Sequence, residues 1–354
     1  MSDIADLSKG IGISKDQLSA DGEPCILYGE LYTKYKSETI KEVISKTNID
    51  NTKLVKSKAN DVIIPCSGET AEEIATARCV LKDDILLGGD LNIIRLHGYD
   101  GSFMSYQLNG KRKYDIAKVA QGVSVVHLYG EHLKNIKTIN PSLNEQKKIA
   151  NLLSLLDERI STQNKIIDKL QSLIKGIRYD IFNDIQGEEL ALSNIADIYQ
   201  PQTISSSDLT TEGYWVYGAN GIIGKYKEYN HETEQICITC RGNTCGTVNY
   251  TQPKVWITGN SMVINTDKYQ RQVNKRFLFH YLSSYNFNSI VSGSGQPQIV
   301  RTPLEKIKVV LPTIEKQVRI ANSIDIVSEK IDTESLVLRL LENQKQYLLR
   351  QMFI

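Results

Sequence analysis

The sequence predicts an α+β protein with a pseudo-twofold internal duplication, in which two repeated domains of mixed, irregular β-sheet and short helices are separated by two long helices that form an antiparallel coiled coil. Three observations predict this fold. The chain of 354 residues repeats itself at about half its length, each copy ends in a heptad pattern, and the remainder shows short alternating stretches between Gly and Asn turns. The predicted segments are a domain over 1–140, a helix within 141–186, a domain over 187–311 and a helix within 312–354.

The duplication consists of short motifs that occur twice, and the distance in sequence between the two copies of a motif decreases along the chain. Residues 2–6 (SDIAD) resemble residues 193–197 (SNIAD), and residues 66–70 (CSGET) resemble residues 240–244 (CRGNT). From Leu133 to Phe182 the first copy then matches the second without a gap, and Pro141 corresponds to Pro312. The first domain is therefore longer than the second, whereas the two helical segments keep one length.

In each helical segment, mostly apolar residues recur at alternating steps of four and three. This is the pattern of a coiled coil, in which these positions form the seam between the helices. The two seams are Ile149, Leu153, Leu156, Ile160, Gln163, Ile167, Leu170, Ile174, Ile177 and Ile181, and Ile320, Ile324, Val327, Ile331, Glu334, Leu338, Leu341, Lys345, Leu348 and Met352. Each segment follows a proline, which predicts one long helix per copy, from Asn144 to Phe182 in the first. The helices are expected to pair with each other; the alternative is that each packs on its own domain. In an antiparallel pair Gln163 and Glu334, near the seam centres, would meet and set the register.

The two domains are predicted from short apolar stretches bounded by turn residues. Strands are expected over residues 61–64, 89–94, 236–239 and 261–264, and helical turns after Phe103 and Phe277. Each domain is thus expected to be compact, with an irregular sheet and few helices.

Composition gives weaker constraints on function. The apolar fraction is 41%, no stretch is long enough to span a membrane, and the N-terminus lacks a signal-peptide pattern, so we expect a cytoplasmic protein with no membrane partner. Six cysteines in a chain of this size indicate reduced thiols. The formal net charge is only +1, but residues 101–148 and 268–308 carry an excess of Lys and Arg, which suits local phosphate contacts or a solvated surface.

Catalytic and metal-binding signatures are not found in the sequence. The stretch from Gly218 to Lys225 resembles a phosphate-binding loop, but its spacing is one residue too long and Tyr226 stands where Ser or Thr is needed. No two prolines are adjacent, which excludes the Asn/Asp-Pro-Pro-aromatic motif of amino-methyltransferases. Cys237 and Cys240 have no second Cys or His pair at ligand spacing, so buried thiols are favoured over a zinc site. We therefore expect a non-catalytic chain with no metal.

The junction between each domain and its helix resembles that of the specificity (S) subunits of type I restriction-modification systems. The first junction, residues 141–150, is PSLNEQKKIA, and the second, residues 312–321, is PTIEKQVRIA, with Lys316 where Glu145 stands. Residues 87–92, 121–128, 217–224, 241–246 and 295–298 resemble segments of the recognition domains of the same family. The resemblance covers almost the whole chain, and the order of the motifs, repeated twice, is more specific than any one of them.

The resemblance implies a DNA-recognition subunit rather than an enzyme. Its partners would be double-stranded DNA, two methyltransferase subunits and, in the complete complex, restriction subunits. S-adenosylmethionine and ATP would be bound by those partners, so no cofactor is expected on this chain. Each domain would recognise one half of a bipartite, asymmetric target in the major groove, and the helices would dock the methyltransferases.

Candidate DNA-binding residues are side chains that can present donors and acceptors to base edges, or positive charge to phosphates. In the first domain they are Tyr28, Ser67, Thr70, Ser124 and His127 for bases and Lys111, Arg112 and Lys113 for phosphates; in the second they are Asn220, Arg241, Asn243, Thr244, Gln296 and Gln298 for bases and Lys225 and Arg301 for phosphates. For each of them a role in a turn or in the fold is an equally valid interpretation.

Two other functions fit part of the pattern. One is the recognition half of a self-contained restriction-methylation enzyme, against which the lack of catalytic motifs argues. The other is a scaffold that uses the coiled coil for assembly and does not recognise DNA. Sequence-dependent retention of DNA in the presence of the methyltransferase would separate the scaffold from the other two.

Overall fold

The computed structural model describes residues 1–50, 52–122, 124–219, 221–293 and 295–353. It contains two compact units, Met1–Lys165 with Ser335–Ile354, and Ile166–Glu334. Each unit thus contains one predicted domain and part of each long helix. Among the described residues, no helix has both the length and the apolar character that crossing a membrane requires.

The first unit is built on two five-stranded sheets. Its elements are β1 (Ala5–Lys9), β2 (Leu18–Ser19), β3 (Glu23–Ile26), α1 (Glu30–Thr33), β4 (Thr39–Ile40), β5 (Ser45–Thr47), β6 (Val55–Lys56), β7 (Asp61–Pro65), β8 (Ser67–Gly68), α2 (Ala71–Ile74), β9 (Arg78–Val80), β10 (Leu86–Leu87), β11 (Leu91–Leu96), α3 (Gly101–Asn109), α4 (Arg112–Val119), β12 (Val126–His127), α5 (Gly130–Lys134) and the first part of α6 (Leu143–Asn183). The sheet orders are β1-β11-β7-β9-β4 and β2-β5-β3-β10-β6, and β8 pairs with β12.

The second unit repeats this arrangement in a shorter form. Its elements are the last part of α6, β13 (Glu188–Ala191), β14 (Asp197–Tyr199), β15 (Tyr214–Gly218), β16 (Gly221–Tyr226), β17 (Ile236–Thr239), β18 (Val248–Tyr250), β19 (Trp256–Ile257), β20 (Ser261–Asn265), α7 (Lys275–Ser284), α8 (Arg301–Glu305), β21 (Lys308–Leu311) and the first part of α9 (Ile314–Gln351). The order β14-β20-β17-β18 follows the order β1-β11-β7-β9 of the first unit. The predicted duplication is therefore confirmed in the sheet topology.

The central strands are buried on both faces, which explains why their sequences are almost continuously apolar. Along β7, Val62 and Ile64 pack into one core of the first unit, whereas Ile63 packs into another. Along β17, Ile236 and Ile238 face one core and Cys237 faces the other. The alternation of side chains along a strand thus joins two apolar layers around each sheet.

The helices α6 and α9 have 41 and 38 residues, and every seam position predicted from the heptads is buried or half-buried. In the first unit Ala150 and Leu153, near the start of α6, share a core with Leu349 near the end of α9. In the second unit Phe182, near the end of α6, packs in the core that contains Ala321 near the start of α9. In each unit the start of one helix therefore lies with the end of the other, as the predicted antiparallel pairing requires.

One buried Gln ties the start of each long helix to a helix of its own unit. Gln146 Oε1 accepts from the backbone N of Asp100, the N-cap of α3, at 2.9 Å, and its Nε2 donates to the Pro141 carbonyl at 2.8 Å. Gln317 does the same with Asn274, the N-cap of α7, at 2.8 Å and with the Pro312 carbonyl at 2.9 Å. The Gln shared by the two junction motifs is thus a structural residue in both.

Candidate nucleic-acid interface

In each unit the fold brings together two loops that are separate motifs in the sequence. In the first unit β8 pairs with β12, so that Ser67 lies opposite His127. In the second unit a β-bridge places Arg241 opposite Gln298, and the backbone N of Gly242 donates to the Pro297 carbonyl at 3.0 Å. We call residues 66–70 with 121–128, and 240–246 with 292–299, the paired loops of the first and second unit.

The paired loops have the same backbone hydrogen bonds in both units. Gln121 and His127 exchange two hydrogen bonds of 2.9 and 2.7 Å, and Ser292 and Gln298 exchange two of 2.9 and 2.8 Å. The chain then continues identically, since the Leu128 backbone N donates to the Cys66 carbonyl at 2.8 Å and that of Ile299 to the Cys240 carbonyl at 3.1 Å. The two loops are therefore equivalent positions of the duplication that carry different side chains.

Glycine is required where each loop turns. Gly122 has a φ of +132° and Gly293 a φ of +91°. A Cβ at Gly122 would lie 2.0 Å from the Val125 carbonyl oxygen, and one at Gly293 would lie 2.5 Å from that of Gln296. Both the left-handed backbone and the close approach exclude a larger residue at these two positions.

In the first unit an exposed group of aromatic and basic side chains adjoins the paired loops. The His127 ring stacks on Tyr129, with centroids 6.2 Å apart, and Lys9 Nζ lies 5.5 Å from the centroid of Tyr129. Ser124 is exposed on the turn, whereas Ser67, the strand partner of His127, is buried. Lys9 and Tyr129 were not predicted from the sequence; Tyr129 could have been inferred, because it lies two residues beyond His127 in an extended segment.

In the second unit Arg241 and Gln298 line an open cavity of about 370 Å³. Gln200 and Arg301 also line it, and Arg301 Nε donates to Glu305 at 2.7 Å. Asn243 and Gln296 are exposed on the same loops. The cavity thus offers guanidinium donors together with amides that both donate and accept. Gln200 was missed because nothing local to its sequence connects it with residues 241 and 298.

Several predicted site residues have a structural contact instead. Thr70 is the N-cap of α2 and accepts from the backbone N of Glu73 at 3.2 Å, a role that Thr followed by Glu three residues later indicates. Thr244 Oγ1 donates to the Ala219 carbonyl at 3.4 Å. Tyr28 is half-buried and packs against a core of the first unit.

The predicted phosphate-binding residues differ in their availability. Lys111 is exposed, whereas Arg112 is half-buried and its Nη1 donates to Asp115 at 3.1 Å. Burial, with a smaller contribution from Arg78, lowers the pKa of the Lys113 ammonium. In the second unit Lys225 Nζ lies over the Trp215 ring, 4.8 Å from its centroid. Asn220 lies outside the described residues.

The described part of the chain contains no group of three or more His, Cys, Asp and Glu side chains that could hold a metal ion. Cys237 and Cys240 face different cores, as expected for residues three apart along a strand. Burial raises the pKa of both thiols, that of Cys237 to about 12, so both are protonated at neutral pH.

A family model described as the type I restriction modification DNA specificity domain matches residues 1–172 and again residues 186–343. The chain belongs to this family. A specificity subunit from Methanocaldococcus jannaschii, named for the type I restriction enzyme MjaVIII, is 26% identical over 93% of this chain and 86% of that protein. The specificity subunit of the type I restriction enzyme EcoprrI from Escherichia coli is 29% identical over 43% of this chain and 37% of its own length.

Solved structures show the same fold for a specificity subunit. The S subunit of a type I restriction-modification system from M. genitalium has a TM-score of 0.69 at 19% identity and covers 100% of this chain and 94% of its own. A chain from a structure of type I restriction-modification complex assembly has a TM-score of 0.58 at 14% identity and covers 98% of this chain. The fold predicted from the duplicated motifs is thus confirmed.

Proposed function

We propose that this chain is a sequence-specific DNA-binding specificity subunit of a type I restriction-modification complex, in which each unit recognises one half of a bipartite, asymmetric target. The observation that carries the proposal is the equivalence of the paired loops. The same backbone arrangement presents the exposed His127, opposite the buried Ser67, in one unit and the exposed Arg241, opposite the exposed Gln298, in the other. Two similar backbone arrangements that carry different hydrogen-bond donors and acceptors suit two half-sites of different sequence.

The chain itself would catalyse no reaction. Methyl transfer would be performed by two methyltransferase subunits that bind S-adenosylmethionine, and DNA cleavage by restriction subunits that bind ATP. The family relationship supports these partners, and the thiols of Cys237 and Cys240 are buried in apolar cores rather than poised as nucleophiles. The role of this chain would be to position the methyltransferases on one DNA sequence.

The proposal is tested by selecting DNA from a random pool with the complex of this chain and its methyltransferase partner. We expect Arg241→Ala with Gln298→Ala to relax one half of the selected motif, and His127→Ala to relax the other. Loss of a bidentate Arg contact should reduce discrimination about 5- to 150-fold at its base pair. Arg271→Ala, an exposed arginine outside the paired loops, is the matched control. Selection of no motif by the wild-type complex would refute DNA recognition and leave the scaffold function.

Exposed apolar residues on the helices support docking of the methyltransferases. In the first unit these residues are about half exposed or more. They include Leu152, Leu155, Leu336, Leu340 and Tyr347 in the first unit and Ile166, Leu173, Tyr179 and Ile326 in the second. Large side chains of this kind on a helix favour an interaction surface. Changing Leu152 and Leu155 to Ser should weaken co-purification with the methyltransferase, whereas Leu81→Ser, on the domain of the same unit, should not. Co-expression with the methyltransferase should also raise the soluble yield; unchanged yield and binding would argue against docking by this surface.

A further inference from the structure

The second unit has an exposed apolar hairpin that the first unit lacks in the part of the chain that the structure describes. Strands β15 and β16 form it, and Ile222, Ile223 and Trp215 are 47%, 46% and 40% exposed. In the first unit β3 occupies the place of β15, and the strand that pairs antiparallel with it is β5, whose residues Ser45, Lys46 and Thr47 are all polar. The first unit therefore has polar residues on the strand that corresponds to the one carrying the two isoleucines.

A β-bulge directs both isoleucines outward. Val216 lies opposite Gly224 and Tyr217 lies opposite Ile222, so that Ile223 is an extra residue in β16. Without a bulge, adjacent residues in a strand point to opposite faces, and a bulge re-aims the side chains around it. The Ile223 side chain lies over Gly218, where an added Cβ would be 2.9 Å from Ile223 Cγ2. Gly218 is therefore needed for this placement of Ile223.

Hydrogen bonds fasten the end of the hairpin to the sheet of the second unit and to one of its paired loops. The Ala219 carbonyl accepts from Thr239 Oγ1 at 2.6 Å and from Thr244 Oγ1 at 3.4 Å, and the Gly218 carbonyl accepts from Ser261 Oγ at 3.2 Å. Thr244 belongs to the loop that carries Arg241. The hairpin that carries the isoleucines is thus fastened to the loop that carries Arg241, and on the same hairpin the Lys225 ammonium lies over the Trp215 ring.

We propose that Ile222 and Ile223 recognise thymine through its 5-methyl group, within the half-site bound by the second unit. This inference rests on the proposed DNA-binding function. In the major groove the thymine methyl group is the one apolar feature that a base pair presents, and aliphatic side chains are suited to contact it. Lys225 on the same hairpin and Arg241 on the loop bonded to it provide the positive charge that DNA requires, which favours DNA over an apolar protein surface as the occupant.

The test replaces each thymine of the selected target by deoxyuridine, which removes the methyl group and changes nothing in the minor groove. We expect the wild-type complex with its methyltransferase to lose about threefold to tenfold in affinity for each contacted thymine, as burial of one methyl group implies. The double variant Ile222→Ala with Ile223→Ala should bind the thymine target as weakly as the wild type binds the deoxyuridine target, and should be insensitive to the replacement. Ile44→Ala, an exposed isoleucine of the first unit, should retain the full sensitivity.

Gly218→Ala provides a second variant that leaves both isoleucines in the sequence. Because its Cβ would displace Ile223, it should reduce the deoxyuridine effect at the same base pair without abolishing the motif. The inference is overturned if deoxyuridine has no effect anywhere in that half-site, if the double variant keeps the same sensitivity, or if the half-site contains no thymine on either strand. Failure of the complex to select any motif would overturn the proposed function itself, which is a different result.

Discussion

Single buried glutamines hold the long helices to their domains. Gln317 is fully buried and makes three hydrogen bonds, from the Asn274 backbone N at 2.8 Å and to the carbonyls of Gln272 and Pro312 at 2.9 Å each. Gln317→Ala leaves those three backbone groups without this partner in an interior site. We expect a loss of about 1–3 kcal/mol of unfolding free energy, measured by urea denaturation.

The neighbouring Lys316 offers the matched control, because it is exposed and lies one residue away on the same helix. Lys316→Ala should change the unfolding free energy by less than about 0.5 kcal/mol. Gln317→Glu should be no more stable to urea than Gln317→Ala, since a carboxylate would lie against two carbonyl oxygens. Equal stabilities of the Lys316 and Gln317 variants would show that the amide is dispensable.

We expect a buried histidine, His280, to make the stability of the second unit sensitive to acid. His280 Nδ1 accepts from Arg178 Nη2 at 3.0 Å, and because an arginine donates only, this nitrogen carries no proton. His280 Nε2 then donates to Asp325 at 2.8 Å. Burial, followed by the charges of Arg178 and Arg276, lowers the His280 pKa to about 4, although Asp325 opposes the shift.

The unfolding free energy should therefore fall as the pH decreases from about 6.5 to about 4. In this window the unfolded chain binds a proton that the folded chain does not, so stability decreases by up to about 1.4 kcal/mol per pH unit for one group. His231, whose pKa burial also lowers to about 4, should add to the slope. His280→Asn, which keeps one donor and one acceptor, should reduce the slope of unfolding free energy against pH. An unchanged slope would assign the acid sensitivity to other groups.

At the scale of elements, a charged cluster joins both long helices to the sheet domain of the first unit. Lys345, at a seam position of α9, pairs with Asp157 of α6 at 2.6 Å and with Glu38 of the domain. Tyr106 and Ser37 each donate to Asp157 at 2.7 Å. Burial raises the pKa of Glu38, and the charge of Lys345 opposes that rise.

Lys345→Met should destabilise the first unit although methionine suits a helix seam. The change leaves two buried carboxylates near each other without their cation, which costs about 3–5 kcal/mol for a buried pair. Thermal or urea unfolding measures it. Lys41→Met breaks the exposed pair with Glu158 and should cost at most about 1 kcal/mol. Similar losses for both variants would show that the Lys345 cluster behaves as a surface ion pair.

The predicted register pair, Gln163 with Glu334, stays a prediction. Gln163 is buried in the first unit; Glu334 is half-buried in the second and pairs with Lys330 at 2.5 Å. Changing both to Leu should stabilise the helices and broaden the spacer lengths between half-sites that the complex selects. If the double-Leu complex selects one unchanged spacer, the register depends on other contacts, of which the Lys345 cluster is the strongest candidate.

The long helices could be predicted because a heptad is a local pattern whose period alone specifies the buried face. The paired loops were only half predictable: residues 66–70 and 121–128 were each identified as motifs, but nothing local says that Ser67 lies opposite His127. The Lys345 cluster joins residues that are 307 positions apart, and a seam lysine has no local feature that identifies Glu38 as its partner. Residues 217–224 were identified as a motif, but the exposure of Ile222 and Ile223 depends on a bulge and on Gly218, which no local pattern indicates.

At the scale of the whole molecule, the compact units do not coincide with the segments between the helices. The first unit contains Ser335–Ile354, and Leu349 and Phe353 share a core with Phe103 and Tyr106 of the first domain. A domain exchange that moves residues 1–140 alone would therefore place a foreign surface against Lys345, Leu349 and Phe353. The segment expected to determine one half-target, residues 1–140, is therefore predicted to be smaller than the unit that folds together.

Replacing residues 1–140 with the corresponding domain of another family member should change only one half of the methylated target, because each unit carries its own paired loops. The same exchange should lower the stability of the complex, since Lys345 would lose Glu38 and the apolar end of α9 would lose Phe103 and Tyr106. Exchanging residues 335–354 together with 1–165 should restore stability and give the same new half-target. Methylation-sensitive sequencing identifies the target, and thermal unfolding measures stability. A change in both halves of the target would refute independent recognition, whereas equal stability of the two chimaeras would show that the end of α9 packs against any domain of the family.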